Sequence, residues 1–277
     1  MAIAASSWGM WPLLLKRAES FGGLDPAFES LVVMIAITAS AAPLLLRDRY
    51  PERATKKQWI GIAWLGVGDA LNVVLFFGAY QATSVAIAVI THYLTPIFVA
   101  IAAPLLLRER ARGRTYAAAA IGFAGLVVML RPWAADRGAN DAMGAALGAG
   151  SAVFYASNVI VNKRLSRTFS GAELMFYHGL FALPLLALFV PSGAWSHGDA
   201  RAMAWLVGGS LGPGALRGLL FTWGLRRIPA SHASTLTLLE PLVAVVVAAV
   251  ALGQSVQPAT VIGGAIILLA TIATIAK

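Results

Sequence analysis

The sequence contains no cysteine, which excludes disulfide bonds, thiol nucleophiles and cysteine-ligated metals. Its four histidines are too widely separated along the chain to form a metal-ligand motif. Charged residues make up only 12% of the 277 positions, about half the share of an ordinary soluble domain. A phosphate-binding glycine loop, a nucleophile elbow and an ATPase signature are also missing from the sequence. We therefore expect no enzyme activity, no cofactor and no metal. A membrane-embedded enzyme would need catalytic groups clustered at one depth, and the sequence shows no such cluster.

What the sequence has instead is long apolar runs. Hydrophobic residues make up 59% of the chain and recur in stretches of about 17–24, enough for a helix to cross a hydrocarbon core of about 30 Å. The runs lack the alternation of a membrane β-barrel, so each predicts a helix. The chain is therefore predicted to be an all-α integral membrane protein. Ten spans are predicted: Ala2–Leu15, Pro26–Leu46, Trp59–Tyr80, Val85–Leu107, Tyr116–Leu130, Met143–Val161, Ala172–Val190, Ala202–Trp223, Ala230–Leu252 and Pro258–Ala276.

The net charge of +9 would suit nucleic acid, but the basic residues cluster in short loops between spans, as the positive-inside rule predicts for a membrane protein. We therefore expect contact with membrane lipid and none with nucleic acid. Both termini are predicted to be cytoplasmic; a nine-span alternative loses the first segment and places the N-terminus outside. The side chains expected inside are Arg47, Arg49, Arg53, Lys56, Lys57, Arg108, Arg110, Arg112, Arg114, Lys163, Arg164, Arg167, Arg226, Arg227 and Lys277.

The two halves of the chain resemble each other at an offset of 145 residues, which pairs Phe76 with Phe221 and Pro96 with Pro241. Five spans per half is an odd number, so a duplicated half must insert upside down. We therefore expect one membrane domain of two inverted five-helix repeats, 1–138 and 139–277, around a central cavity. Inverted repeats are typical of transporters whose substrate site lies near the bilayer midplane.

Three charged residues fall inside predicted spans: Asp69, Arg217 and Glu240. Such residues normally face a cavity or a partner rather than lipid. The offset makes Asn72 and Arg217 equivalent positions of the two halves, so we expect Asp69, one helical turn from Asn72, to approach Arg217 across the pseudo-twofold axis. This pair is interpreted either as a structural ion pair or as a site for a substrate carboxylate or ammonium group. Glu240 could carry a proton or could simply accept hydrogen bonds from its helix neighbours.

Several prolines fall inside the spans, where a proline removes a backbone donor and bends the helix. Pro96 and Pro241 occupy matched positions in the two halves. Pro213 lies in the run GGSLGPGALRG, which suits either close helix packing or a hinge. Beside Pro96, His92 is either a packed polar residue or a cavity-lining one. Oligomeric state is not determined by these patterns, and a monomer fits them.

Short motifs in both halves resemble those of the EamA-type transporters in the drug/metabolite transporter superfamily. The second half carries L-R-R-I-P-A-S at Leu225–Ser231, L-E-P at Leu239–Pro241, and L-G-Q at Leu252–Gln254 in place of the usual L-G-E. Further motifs are similar to those of the YddG-type amino-acid exporters. These are Trp8 with Lys16-Arg17, Tyr93-Leu94-x-Pro96, and Tyr155 with Asn162-Lys163.

The resemblance implies a cavity lined by spans 1, 3, 4, 6, 8 and 9, and alternating-access export of aromatic and other hydrophobic amino acids (Phe, Trp, Tyr, Met) across a bacterial inner membrane. A different small metabolite or an amphipathic drug is the alternative substrate. The expected cavity residues are Tyr80, His92, Tyr93, Tyr155, Asn158 and Trp223. Polar substrate contacts are expected from Asp69, Asn72 and Arg217. The expected bending points are Pro12, Pro96, Pro213 and Pro241.

Overall fold

A computed structural model of the chain describes residues 1–22, 24–47, 54–109, 113–135, 140–196 and 199–275. These ranges form fourteen α-helices and contain no β-strand. Several predicted features lie outside the described residues. They are the cytoplasmic cations Arg49, Arg53, Arg110, Arg112 and Lys277, the repeat boundary at 138/139 and the span end at Ala276. The helices are α1 (Ala2–Gly9), α2 (Trp11–Glu19), α3 (Pro26–Ala41), α4 (Lys56–Ala82), α5 (Val85–His92), α6 (Thr95–Leu107), α7 (Gly113–Leu130), α8 (Asp141–Leu165), α9 (Gly171–Phe189), α10 (Ala200–Gly209), α11 (Ala215–Leu225), α12 (Ala230–Leu236), α13 (Leu239–Leu252) and α14 (Pro258–Ile275).

Eight of the ten predicted spans are confirmed as helical segments long and apolar enough to cross a membrane. Their ends agree with the predicted ends to within about four residues. The first and eighth predicted spans are also helical, but they do not belong to these eight. The first is divided into two short helices, and the eighth is rich in glycine and contains Arg217. The chain is therefore an all-helical, multi-pass membrane protein.

Side-chain caps mark the starts of several long helices. The Asp25 carboxylate accepts hydrogen bonds from the backbone of Ala27 and Phe28 at the start of α3. Ser170 and Glu173 form a reciprocal capping box at the start of α9. These caps satisfy N–H groups that the first helical turn leaves without partners.

Helix bounds repeat along the chain with the offset found in the sequence. Adding 145 to the first residues of α3, α5 and α7 gives the first residues of α9, α12 and α14. The same shift converts the last residues of α6 and α7 into those of α13 and α14. Local structure therefore follows the same period as the sparse sequence identities.

Glycines allow the helices to approach closely. In α4, a Cβ on Gly66 would lie 2.6 Å from Phe181 Cβ, so α4 and α9 touch there through backbone. In α1, a Cβ on Gly9 would lie 2.6 Å from the backbone oxygen of Glu240, so α1 sits directly on α13. Gly148 of α8 faces Ala88 and Thr91 of α5, which assigns this glycine to a contact within the chain.

Candidate functional site

Two interrupted spans supply the first side chains of the site. Tyr93 lies between α5 and α6, where the helix is broken, and is 8% exposed. Glu240 lies in the first turn of α13, directly after the matching break, and is 5% exposed. The Tyr93 hydroxyl donates a hydrogen bond of 3.0 Å to Glu240 Oε2. The two breaks therefore face each other, and this bond offsets part of the cost of burying the carboxylate.

Arg217 of α11 is the second partner of Glu240. Its Nη2 lies 3.3 Å from Glu240 Oε1 and donates a hydrogen bond of 2.6 Å to the Tyr155 hydroxyl. The guanidinium carbon is 4.6 Å from the centre of the Trp8 ring, within range of a cation–π interaction. Arg217 Nε is buried and has no hydrogen-bond partner in the described part of the chain. The guanidinium therefore keeps one donor for a further acceptor.

A second branch of the site begins at His92. Its Nδ1 lies 2.8 Å from Ser151 Oγ, and the Ser151 hydroxyl donates a hydrogen bond of 2.8 Å to Asn72 Oδ1. Because the serine has a single proton and gives it to Asn72, Nδ1–H of His92 must be the donor to Ser151. The imidazole stacks on Tyr155 at 5.5 Å and lies 4.2 Å from the Phe76 ring centre.

The two branches form one group of side chains, here called the central cluster. It draws on six helical segments, which correspond to predicted spans 1, 3, 4, 6, 8 and 9. Among the described residues, no group of three or more His, Asp or Glu side chains could hold a metal ion. The central cluster consists of Trp8, Asn72, Phe76, His92, Tyr93, Ser151, Tyr155, Arg217 and Glu240.

The predicted ion pair between Asp69 and Arg217 is not formed. Asp69 Oδ2 instead lies 3.8 Å from His178 Nε2 on α9, and Arg217 forms its ion pair with Glu240. The offset identified Asn72 and Arg217 as equivalent positions, but equivalence does not fix the direction in which a neighbouring side chain points. Helix α4 packs along both α8 and α9, and its contact with His178 shows that Asp69 lies on the side that faces α9.

Other predicted site residues lie at different distances from the cluster. Tyr80 packs edge-on against Phe76 at 4.8 Å and so extends the aromatic wall. Asn158 is buried one turn beyond Tyr155, where its Nδ2 lies 3.4 Å from the Leu65 oxygen. Trp223 is 54% exposed and packs against the Arg227 guanidinium. The fold therefore does not bring Trp223 to the central cluster.

Helices are interrupted at all four predicted bending points. Pro12, Pro96 and Pro241 lie in the first turns of α2, α6 and α13, and Pro213 lies in a π-helical segment, Ser210–Gly214, between α10 and α11. The Ser7 hydroxyl of α1 donates a hydrogen bond of 2.8 Å to the Pro213 carbonyl. A role of these prolines in gating stays a prediction.

A polar junction ties four segments together where α6 and α11 end and α12 begins. Glu109 accepts hydrogen bonds of 3.1 and 2.8 Å from the Ala230 N–H. Lys163 donates to the carbonyls of Leu225 and Ile228 at 2.5 and 2.8 Å and lies 3.9 Å from Glu109. Partial burial raises the pKa of Glu109, and the Ala230 N–H and the Lys163 ammonium act against that shift. We call this group the Glu109 junction.

Four members of the cluster were not among the predicted substrate contacts. Phe76 was marked by its pairing with Phe221 at the repeat offset. Glu240 was considered only as a proton carrier or a hydrogen-bond acceptor, although the L-E-P motif marked its position. Trp8 was marked by its spacing to Lys16-Arg17. Ser151 carried no sequence signal, since a serine in a helix commonly bonds to its own backbone.

Comparison with known proteins identifies relatives along almost the whole chain. The model of the EamA-like transporter family matches residues 1–131 and 142–276. An uncharacterized transporter of Archaeoglobus fulgidus is 30% identical over 228 residues, which is 82% of this chain and 78% of that one. An uncharacterized transporter of Clostridium kluyveri is 21% identical over 93% of this chain and 86% of its own length. A solved crystal structure superposes with a TM-score of 0.81 over 99% of this chain and 96% of its own, at 20% identity, and so shares the fold.

Proposed function

Because the chain belongs to the EamA-like transporter family, whose members carry small molecules across membranes, we propose that it exports aromatic and other hydrophobic amino acids by alternating access. The observation that carries this proposal is the Arg217–Glu240 ion pair enclosed by aromatic rings. A zwitterion with an apolar side chain presents the chemistry that complements this arrangement: one carboxylate, one ammonium group and one hydrophobic surface.

The ion pair offers a partner for each charge of the substrate. The substrate carboxylate is proposed to bind Arg217, whose Nε–H is unused and whose guanidinium suits bidentate recognition. The ammonium group is proposed to bind Glu240. Substrate entry thus replaces one internal ion pair with two intermolecular ones, which avoids leaving either buried charge unpaired. The hydroxyls of Tyr93 and Tyr155 hold the carboxylate and the guanidinium in position.

The rings of the cluster are proposed to contact the substrate side chain. Trp8, Phe76, His92 and Tyr155 supply faces and edges for stacking and dispersion contacts. Tyr80 extends this wall through Phe76. Asn72 contributes a polar group beside Ser151. Asn158 lies one turn beyond Tyr155 on α8.

The proposed architecture is ten spans in two inverted repeats, 1–138 and 139–277. It is supported by the recurrence of helix bounds at an offset of 145 and by the family match over 1–131 and 142–276. In this architecture α1 with α2 forms the first span, and α10 with α11 forms the eighth. The substrate then lies where the interrupted spans of both halves meet.

We place the protein in a bacterial inner membrane with both termini in the cytoplasm. Basic residues on the loops after α6, α8 and α11 support this orientation. The Glu109 junction then lies at the cytoplasmic end, where it holds α11 and α12 against α6 and α8. Breaking this junction is proposed to open the cavity to the cytoplasm.

The test is transport of labelled phenylalanine, tryptophan and methionine by purified protein in proteoliposomes. We expect saturable uptake that other hydrophobic amino acids compete for. Trp8→Ala should reduce this uptake, whereas Trp133→Ala, which removes a tryptophan that is 66% exposed, should leave it unchanged. Folded wild-type protein without such flux would contradict the amino-acid proposal and redirect the search to another metabolite or an amphipathic drug.

A further inference from the structure

One ion pair inside the predicted spans lies outside the central cluster. His178 of α9 and Asp69 of α4 approach to 3.8 Å between Nε2 and Oδ2. Both side chains are partly exposed, at 20% and 30%. The contact between α4 and α9 at Gly66, one turn before Asp69, fixes how closely the two side chains approach.

The hydrogen bonds of His178 determine how many protons its ring holds in this arrangement. Nδ1 lies 2.6 Å from the Leu174 carbonyl oxygen, which can only accept, so Nδ1 must carry a proton. If Nε2 were unprotonated, its lone pair would point toward the Asp69 carboxylate. With Asp69 ionised, only the imidazolium ring, with a proton on each nitrogen, is attracted to both neighbours.

Among the described residues, the Asp69 carboxylate lies beside His178, and its negative charge favours the imidazolium. In the described part of the chain, α9 packs mainly on four segments: α3, the 3-10 turn at 42–46 after it, α4 and α11. From α4 the facing titratable group is Asp69; α3 carries Glu29 in its first turn, and residues 42–46 carry no charge. From α11, Arg217 is held by Glu240 and Tyr155. On α9 itself, Glu173 is used in the capping box, and the Tyr177 ring packs on Trp59.

We propose that Asp69 and His178 form a proton-binding site that couples substrate movement to a proton gradient. This inference rests on the proposed transport function and adds the coupling ion to it. Asp69 lies one turn from Asn72, which joins the central cluster through Ser151. Loss of the Nε2 proton turns attraction between α4 and α9 into repulsion, which displaces the helix that carries Asn72 and Phe76. Protonation restores the contact.

The protonation state is tested first, without any substrate. Nitrogen chemical shifts of ¹⁵N-histidine-labelled wild-type protein in detergent are measured at pH 7.5, where an ordinary histidine is about one tenth protonated. We expect one histidine with both nitrogens in the imidazolium range. It is assigned as the signal absent from His178→Gln, and Asp69→Asn should return it to the neutral range. A neutral His178 ring in the wild type would overturn the proposal.

Coupling is then tested in proteoliposomes. An interior more acidic than the outside should drive accumulation of labelled phenylalanine, as protons leave in exchange. His178→Gln should lose this accumulation while its counterflow exchange, measured without a pH gradient, stays within about twofold of wild type. His232→Gln, which removes a histidine on α12 near Thr115, is the matched control and should retain both.

The outcomes separate this inference from the proposed function. If the wild-type protein shows counterflow but no response to the pH gradient, proton coupling is overturned and amino-acid transport still stands. Gradient-driven accumulation by His178→Gln would overturn the assigned site. Folded wild type without counterflow would contradict the amino-acid proposal, and the nitrogen shifts would still decide whether the pair binds a proton.

Discussion

Tyr93 and Glu240 are 147 residues apart in the sequence and joined by a hydrogen bond of 3.0 Å. Each lies at the break of an interrupted span, one in each half of the chain. The interruption frees the chain from regular helical geometry and points both side chains toward Arg217 and Tyr155. The site is thus assembled where the two halves meet.

Removing one partner of the Arg217–Glu240 pair should destabilise the protein more than removing both. Arg217→Gln leaves the Glu240 carboxylate buried, with Tyr93 as its remaining partner. Removing one partner of a buried ion pair typically costs about 3–5 kcal/mol. Thermal unfolding in detergent should show a smaller loss for Arg217→Gln/Glu240→Gln than for either single variant. Additive losses would show that the pair is not coupled.

Tyr155→Phe should weaken substrate affinity without removing the aromatic wall. The variant loses the 2.6 Å bond to Arg217 but keeps the ring that stacks on His92. A hydrogen bond to a charged group contributes about 1.5–3 kcal/mol, which corresponds to about a 10- to 150-fold rise in apparent KM. Tyr177→Phe is the control, since Tyr177 packs on Trp59 away from the cluster. Equal KM values in both variants would contradict this role.

Gly9→Ala should destabilise the protein, whereas Gly208→Ala should not. A methyl group at Gly9 would lie 2.6 Å from the Glu240 oxygen and 2.7 Å from Val243 Cβ. Overpacking of this kind typically costs about 1–3 kcal/mol. At Gly208 a methyl group meets nothing within 4 Å. Melting temperatures of the two variants give the comparison, and a similar fall in both would mean that α1 does not sit firmly on α13.

Lys163→Met should open the Glu109 junction. The variant removes the donor to the Leu225 and Ile228 carbonyls. A reporter cysteine placed at Ser231, which is 4% exposed, should then react faster with maleimide. Lys57→Met, an exposed change at the start of α4, should leave the labelling rate unchanged. An unchanged rate in Lys163→Met would contradict closure by this junction.

Single cysteines should reveal the predicted topology. The sequence has no cysteine, so labelling has no background from the protein itself. With a membrane-impermeant maleimide on intact cells, Trp133→Cys should react, and Arg114→Cys at the other end of α7 should react only after permeabilisation. Ile3→Cys should behave like Arg114→Cys if the first span crosses the membrane. Labelling of Ile3→Cys in intact cells would favour nine spans.

Much of the fold could be read from hydropathy, because each span must be apolar and long enough to cross the bilayer. The hydropathy-based span Pro258–Ala276 already comes within one residue of α14 at both ends. Side-chain pairing could not be read in this way. The rotation of α4 that turns Asp69 toward His178 depends on contacts with α9 through Gly66, and these involve residues more than 100 positions apart.

The hydrogen bond from Ser7 to the Pro213 carbonyl has a mechanical consequence. Gly9, two residues farther along α1, rests on the backbone of α13 at Glu240. The N-terminal helix is thus attached to two joints at once, the π-helical segment and the break before α13. Because this one short helix contacts both joints, we expect a movement at either joint to be transmitted to the other through α1.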